Sequence, residues 1–411
     1  MRKLLALMPV IPYPPHQGTN IRNYNLLRHL ADEYTIHLLT FYEGPKPSIP
    51  GPLREICEIV EAVPNPSHSM PKRLLRLISS PLPDVIYRKS SPLLLERLRE
   101  LLAQNRYDLV HVEGIEMAQY GLWIASHRTG RKPALVFGDQ NAEYLLQKRA
   151  FETDIRQPRY WPAAIYSLIQ WQKLARYEAA ICRKFDRVIA VSEADGEALK
   201  KLVPELEVCI VPNGIDVDFY SDFIPRNPPL ADWSPWALVF TGKMDFRPNV
   251  DAALWFAQEI LPKVREKFPQ ACFYVVGRNP HPRLRAIMDR EGVVVTGYVE
   301  DIRPFIAFAS VFVVPIRMGG GTRLKLLEAM AMKKAVVSTT LGAEGYPFRH
   351  GLHLLLADEP ETFAEAVCRL LENEKERVRL GEEAFKLVDE RYRWKKIVKA
   401  LKETYEELLA R

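Results

Sequence analysis

The chain carries at residues 319–340 the run GGGTRLKLLEAMAMKKAVVSTT, which combines three local patterns. Three glycines come first, a stretch with helical spacing of apolar residues follows, and the β-branched run 335–339 closes it. Another apolar run, VFVVP at 311–315, stands just before the glycines. The predicted order is therefore strand, glycine loop, helix and strand, which is typical of a parallel α/β unit.

The glycine loop and the helix after it carry residues suited to a phosphorylated ligand. A glycine loop lets the backbone approach a ligand closely, and the N–H groups at a helix start favour anions. Arg323 and Lys325 add cationic donors for phosphate, and Glu328 can accept hydrogen bonds from sugar or ribose hydroxyl groups. For this stretch alone, a tight loop with solvated Arg, Lys and Glu side chains is the alternative.

Apolar runs alternate with helical patterns along the chain, which predicts parallel sheets covered by helices. In the first half the predicted strands are residues 4–8, 35–40, 109–112, 135–137, 188–191 and 208–211. In the second half they are residues 237–240, 273–276, 293–295, 311–314, 335–338 and 354–356. Two such sets imply an α/β protein with two Rossmann-like domains, whose strand ends face a ligand-binding cleft.

Length and composition narrow the class of protein further. The 411 residues exceed what one hydrophobic core usually serves, which also favours two domains. The chain lacks an apolar run of about 18 residues, and its apolar start is interpreted as a buried strand instead of a signal peptide. Five scattered cysteines are expected to be reduced and buried. The net charge of +6 fits phosphorylated ligands or an anionic membrane surface.

Residues 319–340 resemble the donor-binding signature of GT-B glycosyltransferases, in particular the large retaining family four. In that family a glycine-rich segment leads into a helix with the pattern LEAMA and then PVV. Here residues 327–331 have the sequence LEAMA, and residues 335–337 have AVV. The segments VSE at 191–193 and PNGID at 212–216 are also similar to the family's. The resemblance covers nearly the whole chain and implies the GT-B fold.

The resemblance implies a donor site in the second domain. Two basic positions would grip the diphosphate, a glutamate would bind the ribose, and backbone groups near an aromatic residue would pack on the base. The residues predicted for this site are Gly242, Lys243, Tyr298, Gly319, Gly320, Gly321, Thr322, Arg323, Lys325 and Glu328. The family usually has two glutamates eight positions apart. Glu328 matches the second, and Gly320 replaces the first, which in the family contacts the donor sugar.

The first predicted strand runs into a glycine turn at Gly18 and Thr19, followed by a helical pattern. This turn resembles the family's first loop, which covers the donor phosphates, so Gly18 and Thr19 are predicted to bind the donor. A simple turn between strand and helix is the alternative.

Polar residues follow two predicted strands of the first domain. Residues 108–114, DLVHVEG, resemble the family's DVVHxHG segment, with Glu113 in place of the second histidine. Gln140 replaces the family's strand-end histidine, between Asp139 and Asn141. The resemblance predicts Glu113, Asp139 and Asn141 as catalytic-site residues that bind acceptor or sugar. His111 is predicted to be buried and hydrogen-bonded.

Residues 67–92 contain basic residues at Lys72, Arg73 and Arg76 that alternate with leucines. A basic amphipathic helix can lie on an anionic bilayer with its apolar face inward. The family resemblance also implies such a contact for enzymes with lipid-linked acceptors. An ordinary surface helix with solvated cations is the alternative.

The pattern Asp216-x-Asp218 invites comparison with the metal-binding DxD motif of another glycosyltransferase architecture. It follows an Asn-Gly turn signal and lies at the start of the predicted linker, so a structural role is favoured. The resemblance implies neither a metal nor a resident cofactor, with the nucleotide-diphosphate sugar as co-substrate.

These features predict a cytoplasmic glycosyltransferase, with any membrane contact peripheral on the inner face. It would move a sugar from a nucleotide-diphosphate sugar to a saccharide or lipid-linked acceptor, and nucleic acid is not an expected partner. The predicted parts are an acceptor-binding domain at 1–215, a linker at 216–235, a nucleotide-sugar domain at 236–390 and a helix at 391–411 that crosses back. A GT-B sugar-nucleotide epimerase and a non-catalytic polysaccharide-assembly protein are the alternatives.

Overall fold

The computed structural model describes residues 1–15, 18–127 and 132–410 of the chain. The chain forms two compact units, one of Met1–Asn213 with Trp394–Arg411 and one of Gly214–Arg393. Of the helices described, none is long and apolar enough to cross a membrane.

The first unit is built on a parallel sheet. Its strands are β1 Arg2–Met8, β2 Tyr34–Tyr42, β3 Ile59–Pro64, β4 Leu109–Glu113, β5 Ala134–Asp139, β6 Arg187–Ala190 and β7 Val208–Ile210. Within the described ranges their order is β3-β2-β1-β4-β5-β6-β7. Alternate residues of β1 enter two different cores, Leu5 and Leu7 on one face and Leu4 and Ala6 on the other. Both faces of the sheet are therefore buried, as is usual for parallel strands.

Helices cover both faces of this sheet. In chain order they are α1 Gly18–Leu30, α2 Gly51–Ile56, α3 Met70–Ser79, α4 Asp84–Arg88, α5 Pro92–Gln104, α6 Ala118–Ser126, α7 Glu143–Asp154, α8 Trp161–Lys184 and α9 Glu193–Leu202. Single 3₁₀ turns lie at Ile115–Met117 and Pro158–Tyr160.

The second unit has its own parallel sheet and core. Its helices begin with α10 Val217–Ser221, and its strands are β8 Ala237–Thr241, β9 Cys272–Val276, β10 Val293–Gly297, β11 Val311–Val314, β12 Val336–Ser338 and β13 Leu355–Leu356. In the part of the chain that the structure describes, the strand order is β10-β9-β8-β11-β12-β13.

The remaining helices of the second unit alternate with these strands. They are α11 Arg247–Trp255, α12 Leu261–Lys267, α13 Arg285–Met288, α14 Arg303–Ala307, α15 Leu324–Ala331, α16 Pro360–Glu372 and α17 Glu374–Arg391. A π-turn at Phe256–Ile260 joins α11 to α12, and a 3₁₀ turn lies at Pro282–Leu284. The last helix, α18 Trp394–Leu409, belongs to the first unit, where Trp394, Leu401 and Tyr405 enter the core.

Three elements differ from the sequence prediction. β3 was missed because it is a half-exposed edge strand with Glu61 at its centre, so it lacks a continuous apolar run. The apolar spacing of residues 250–268 predicts one continuous helix, but a π-turn before Pro262 interrupts it, since proline lacks the N–H that a continuous helix needs. The predicted linker contains α10, because Asp216 caps this helix and Val217 enters the second core.

Candidate functional site

The strand order of the second sheet reverses at β8, which lies between β9 and β11. The loops after β8 and β11 therefore leave the same edge of the sheet in neighbouring positions. In open α/β sheets, ligands bind at such a switch point, outside the carboxyl ends of the strands. The predicted residues Gly242 and Lys243 follow β8, and residues 319–323 follow β11. The fold thus brings the two main predicted donor segments together.

The loop after β11 is shaped by its glycines. Gly319 and Gly321 have φ values of 91° and 76°, a region that side-chain-bearing residues rarely adopt. Arg323 occupies the N-cap position of α15, and its guanidinium group donates hydrogen bonds to the carbonyl oxygens of Gly320 and Gly321. Thr322 is partly buried in the same loop. Arg323 therefore fixes the loop and adds positive charge at the start of α15.

Lys325 is a partly buried basic residue of this site. Its Nζ donates to Asn249 Oδ1 at 3.0 Å and lies 4.0 Å above the centre of the Phe240 ring. A Cβ atom at Gly242 would lie 2.9 Å from this Nζ, so the glycine makes room for the ammonium group. Burial and the charge of Arg323 lower the pKa of Lys325 to about 7, although Glu328 acts in the opposite direction.

Glu328 lies one turn beyond Lys325 on α15, so both side chains share one face of the helix. Its Oε1 accepts a hydrogen bond from the Tyr220 hydroxyl group at 3.1 Å. Burial raises the pKa of Glu328, while the hydrogen bond from Tyr220 and the charge of Lys325 oppose that increase. The carboxylate is thus held in place beside a cation, which suits a hydrogen-bond acceptor for ligand hydroxyl groups.

Lys243 and Tyr298 lie at the rim of this edge. The Lys243 ammonium group is exposed and lies 3.5 Å from Asp245 Oδ2. Tyr298 follows β10 and is 73% exposed. The predicted donor residues of the second unit therefore extend along the carboxyl edge from β10 to β11, with Lys325 and Glu328 in its more buried part.

Two residues of this site were not predicted from the sequence. Asn249 bonds Lys325 and also donates from Nδ2 to the Lys243 carbonyl oxygen at 2.9 Å. Tyr220 lies in the segment predicted to be a linker. Neither has a local signal, because an Asn at a helix start usually indicates a cap, and the partner of Tyr220 is 108 positions away.

In the first unit, Thr19 and Gln140 are in direct contact, with the Thr19 hydroxyl group 3.0 Å from Gln140 Oε1. Gly18 is the first residue of α1, while His16 and Gln17 of the predicted loop lie outside the described residues. Gln140 Nε2 in turn donates to Glu113 Oε1 at 3.2 Å. The structure thus connects the first turn of α1 with the ends of β4 and β5.

Glu113 is fully buried at the centre of a hydrogen-bond network. Arg22 Nε donates to its Oε1 at 2.9 Å, and His111 Nε2 lies 2.6 Å from its Oε2. The hydroxyl group of Tyr405 lies 2.7 Å from His111 Nδ1. Burial acts to raise the pKa of Glu113, but Arg22 and His111 outweigh it and lower the pKa to about 2. The prediction of a buried, hydrogen-bonded His111 is confirmed.

Asp139 and Asn141 flank Gln140 but differ in exposure. The Asp139 side chain is 1% exposed. Burial and the nearby carboxyl groups of Glu178 and Asp195 raise its pKa well above the usual value. Asn141 is partly exposed, and its Nδ2 lies 3.5 Å from a carboxylate oxygen of Glu143. Of the three residues predicted as catalytic, Asn141 is therefore the one at the surface, and the catalytic role of all three stays a prediction.

The segment predicted as a basic amphipathic helix forms α3, none of whose residues is buried. Its apolar residues Met70, Leu74, Leu75 and Ile78 are 58%, 57%, 70% and 86% exposed. Lys72 and Arg76 are exposed, whereas Arg73 pairs with Asp84 at 2.6 Å. We call these exposed residues of α3 the α3 surface. The Asp216-x-Asp218 segment is structural, since Asp216 caps α10 and Asp218 pairs with Arg393.

Two family models match the chain. The model described as Glycosyltransferase Family 4 matches residues 16–219, and the model described as Glycosyl transferases group 1 matches residues 236–373. The first match lies largely in the first unit and the second match lies within the second unit.

Individual proteins resemble the chain over nearly its full length. An uncharacterized 44.6 kDa protein in the cps region of Klebsiella pneumoniae is 22% identical, over 98% of this chain and 99% of that protein. Sucrose-phosphate synthase from Thermosynechococcus elongatus superimposes with a TM-score of 0.73 at 17% identity, over 100% of both chains. Anabaena Alr3699/HepE in complex with UDP-glucose gives 0.66 at 16% identity, over 99% and 100% of the two chains. At these identities the structures establish a shared fold.

Proposed function

The chain belongs to the GT-B glycosyltransferases of family four, as its sequence predicts, and we propose which reaction it catalyses. It moves a sugar from a nucleotide-diphosphate sugar to a saccharide or lipid-linked acceptor in polysaccharide or glycoconjugate synthesis. Transfer proceeds with retention of the anomeric configuration, a part of the proposal that rests on family membership alone. The diphosphate is the leaving group.

One observation carries the proposal: a glycine loop, the guanidinium group of Arg323 and the ammonium group of Lys325 lie together at the switch point of the second sheet. Negative charge on the diphosphate increases as the glycosidic bond breaks. Preplaced cations and helix N–H groups that bind this charge more tightly in the transition state lower the barrier. Lys243 contributes a further cation from the rim, and no metal ion takes part in this step.

Two further parts of the donor bind beside the diphosphate. Glu328, held by Tyr220, accepts hydrogen bonds from the ribose hydroxyl groups. Tyr298 packs against the base from the loop after β10. Gly319, Gly320, Gly321, Thr322 and Gly242 provide the close backbone approach that the phosphates require.

The acceptor binds to the first unit, at the carboxyl edge of β4 and β5. Asn141 contacts the acceptor directly because it is the exposed member of the predicted set. Glu113 and Asp139 are buried behind Asn141 and act on the acceptor indirectly. Glu113 acts through Gln140, which is hydrogen-bonded to it. Gly18 and Thr19, the first residues of α1, contact the donor phosphates in this proposal.

The nucleotide specificity can be tested by thermal unfolding with UDP, GDP, ADP and NAD, in the absence of added metal. A ligand that binds only the folded protein stabilises it by about 2.7 kcal/mol at a hundred times its Kd. We expect one nucleoside diphosphate to raise the unfolding midpoint and NAD to leave it unchanged. UDP is the first to test, because the Anabaena protein is described with UDP-glucose.

The absence of a shift with all three nucleoside diphosphates would contradict the donor site. Once the base is known, matching sugar nucleotides are incubated with and without saccharide or lipid-linked acceptors. Transfer that needs an acceptor and persists in EDTA supports the proposal. Conversion of the donor sugar without an acceptor would instead identify a sugar-nucleotide epimerase.

The α3 surface is the proposed contact with an anionic bilayer. It presents four exposed apolar side chains next to Lys72 and Arg76, a combination that fits the interface of a membrane with negatively charged lipids. Such a peripheral contact would place the enzyme where lipid-linked acceptors are found.

We expect the protein to sediment with vesicles that contain phosphatidylglycerol, and less so with vesicles of phosphatidylcholine alone or at high salt. The double substitution Leu75→Glu, Ile78→Glu should weaken binding at least about tenfold, because two apolar side chains would no longer enter the bilayer. Val378→Glu, at a residue of α17 that is 56% exposed, is the matched control. Wild-type protein that stays in the supernatant with anionic vesicles would contradict this contact.

A further inference from the structure

Asn249 connects the two basic positions of the proposed diphosphate site. It is the third residue of α11 and is 7% exposed. Its Oδ1 accepts from the Lys325 ammonium group at 3.0 Å, and its Nδ2 donates to the Lys243 carbonyl oxygen at 2.9 Å. The side chain does not cap its own helix, whose N-cap residue Phe246 makes no side-chain cap bond. Both of its hydrogen-bonding groups are therefore used to join the β8 loop to α15.

The chemistry of an amide suits this position. A carboxylate at the same place would pair with Lys325 and cancel much of its charge, whereas an amide oxygen orients the ammonium group and leaves its charge available. Gly242 completes the arrangement, since a Cβ there would lie 2.8 Å from Asn249 Nδ2 and 2.9 Å from Lys325 Nζ. The ammonium group is thus confined over the end of β8.

We propose that Asn249 is a positioning residue for sugar transfer: it holds Lys325 where the donor diphosphate binds and fixes the Lys243 loop in register with it. This inference rests on the proposed function. Asn249 acts through Lys325, so its loss should change nucleotide affinity and its pH dependence without removing a group that reacts.

The pH dependence follows from the groups around Lys325. Arg323 and burial favour the neutral amine, Glu328 favours the ammonium form, and Asn249 and the Phe240 ring are uncharged neighbours. With a pKa of about 7, Lys325 is charged below that pH and loses its proton above it. Diphosphate binds the charged form, so nucleotide affinity should fall as pH rises from about 7 to about 9.

The test measures the Kd of the stabilising nucleoside diphosphate by calorimetry over this pH range, for wild type, Asn249→Ala and Asn249→Asp. Asn249→Ala should raise the Kd at pH 7 at least about tenfold, the cost of a lost hydrogen bond to a charged group. Asn249→Asp keeps the acceptor on Lys325 but adds a negative charge. It should weaken binding at pH 7 and move the loss of affinity to higher pH, because the carboxylate stabilises the ammonium form.

A double-mutant cycle separates positioning from a general loss of structure. In a Lys325→Met background, Asn249→Ala should raise the Kd by a clearly smaller factor than in wild type, because only its contact with the Lys243 loop is then left to lose. Thermal unfolding without ligand reports whether each variant folds. If Asn249→Ala does not fold, the nearly isosteric Asn249→Asp provides the decisive pH profile.

Failure of the positioning role of Asn249 can be distinguished from failure of the proposed function. Wild-type protein that binds none of the nucleoside diphosphates would contradict the proposed function itself. If wild type binds and Lys325→Met is weakened, but Asn249→Ala keeps the wild-type Kd or Asn249→Asp keeps the wild-type pH profile, the positioning role is wrong and the diphosphate site stands.

Discussion

Replacing Lys325 or Glu328 by alanine is expected to reduce sugar transfer by about two to four orders of magnitude, as the loss of charge-stabilising contacts can. In the proposed mechanism, Lys325 supplies a positive charge at the site where the leaving diphosphate gains negative charge, and its side chain is partly buried. In the same mechanism, Glu328 keeps the donor in register through the ribose, so its loss would misplace the bond that breaks. The measurement is kcat/KM for the donor at a fixed acceptor concentration.

The matched control for Lys325→Ala is Lys263→Ala, which removes an exposed lysine that pairs with Glu361 on another part of the same unit. This control should retain wild-type kcat/KM. Wild-type activity in Lys325→Ala would contradict the assignment of this residue to the diphosphate. If Lys263→Ala loses as much activity as Lys325→Ala and Glu328→Ala, the loss reflects folding or solubility. The assignment of these residues to the site then fails.

Replacing Glu113 by glutamine is expected to destabilise the first unit by about 3–5 kcal/mol, the usual cost of breaking a buried ion pair from one side. Arg22 and Glu113 are 2% and 0% exposed, so the substitution leaves the Arg22 charge buried beside a neutral amide. Urea unfolding followed by far-UV circular dichroism at neutral pH measures the loss. The pH dependence of the free energy of unfolding gives a second test.

The pKa of Glu113 is lowered from its ordinary value of 4.5 to about 2 by Arg22 and His111, against the effect of burial. Its contribution to the free energy of unfolding is therefore fully present above about pH 4.5 and is lost as pH falls towards 2. The free energy of unfolding of Glu113→Gln should therefore lack the decrease that wild type shows below about pH 4.5. Glu383→Gln, which removes an exposed partner of Lys386, is the control and should leave the unfolding midpoint nearly unchanged. A Glu113→Gln protein as stable as wild type would contradict the structural importance of the network.

Much of the fold could be predicted because its strands are buried on both faces. The apolar runs that become β1, β8 and β11 are continuous, and they need no information from distant residues to be recognised. β3 was not predicted because it is a half-exposed edge strand, and its sequence lacks a continuous apolar run. The π-turn was not predicted because the apolar spacing continues across Pro262, and only the proline itself marks the missing backbone hydrogen bond.

The candidate site was predictable where its chemistry is local. Arg323, Lys325 and Glu328 lie within one short stretch, so their residue types and spacing indicate a phosphate and hydroxyl site. Asn249 and Tyr220 were missed because each acts on α15 from a distant part of the chain. For Glu113 a local motif was present but did not indicate the surroundings of the side chain. The motif predicted a residue of the catalytic site, and only the folded chain reveals that Arg22 and His111 enclose it.

The position of α18 in the first unit has a consequence for biosynthesis. This helix packs on α1, and Tyr405 fills space between β1 and α1 that residues such as Leu26 and Leu27 also line. Because α18 follows the second unit in the chain, a ribosome synthesises that unit before it synthesises α18. During that interval the first unit exposes an apolar strip along β1 and α1, and His111 lacks its hydrogen-bond partner Tyr405 on α18. The first unit can thus complete its core only after the second unit has been synthesised.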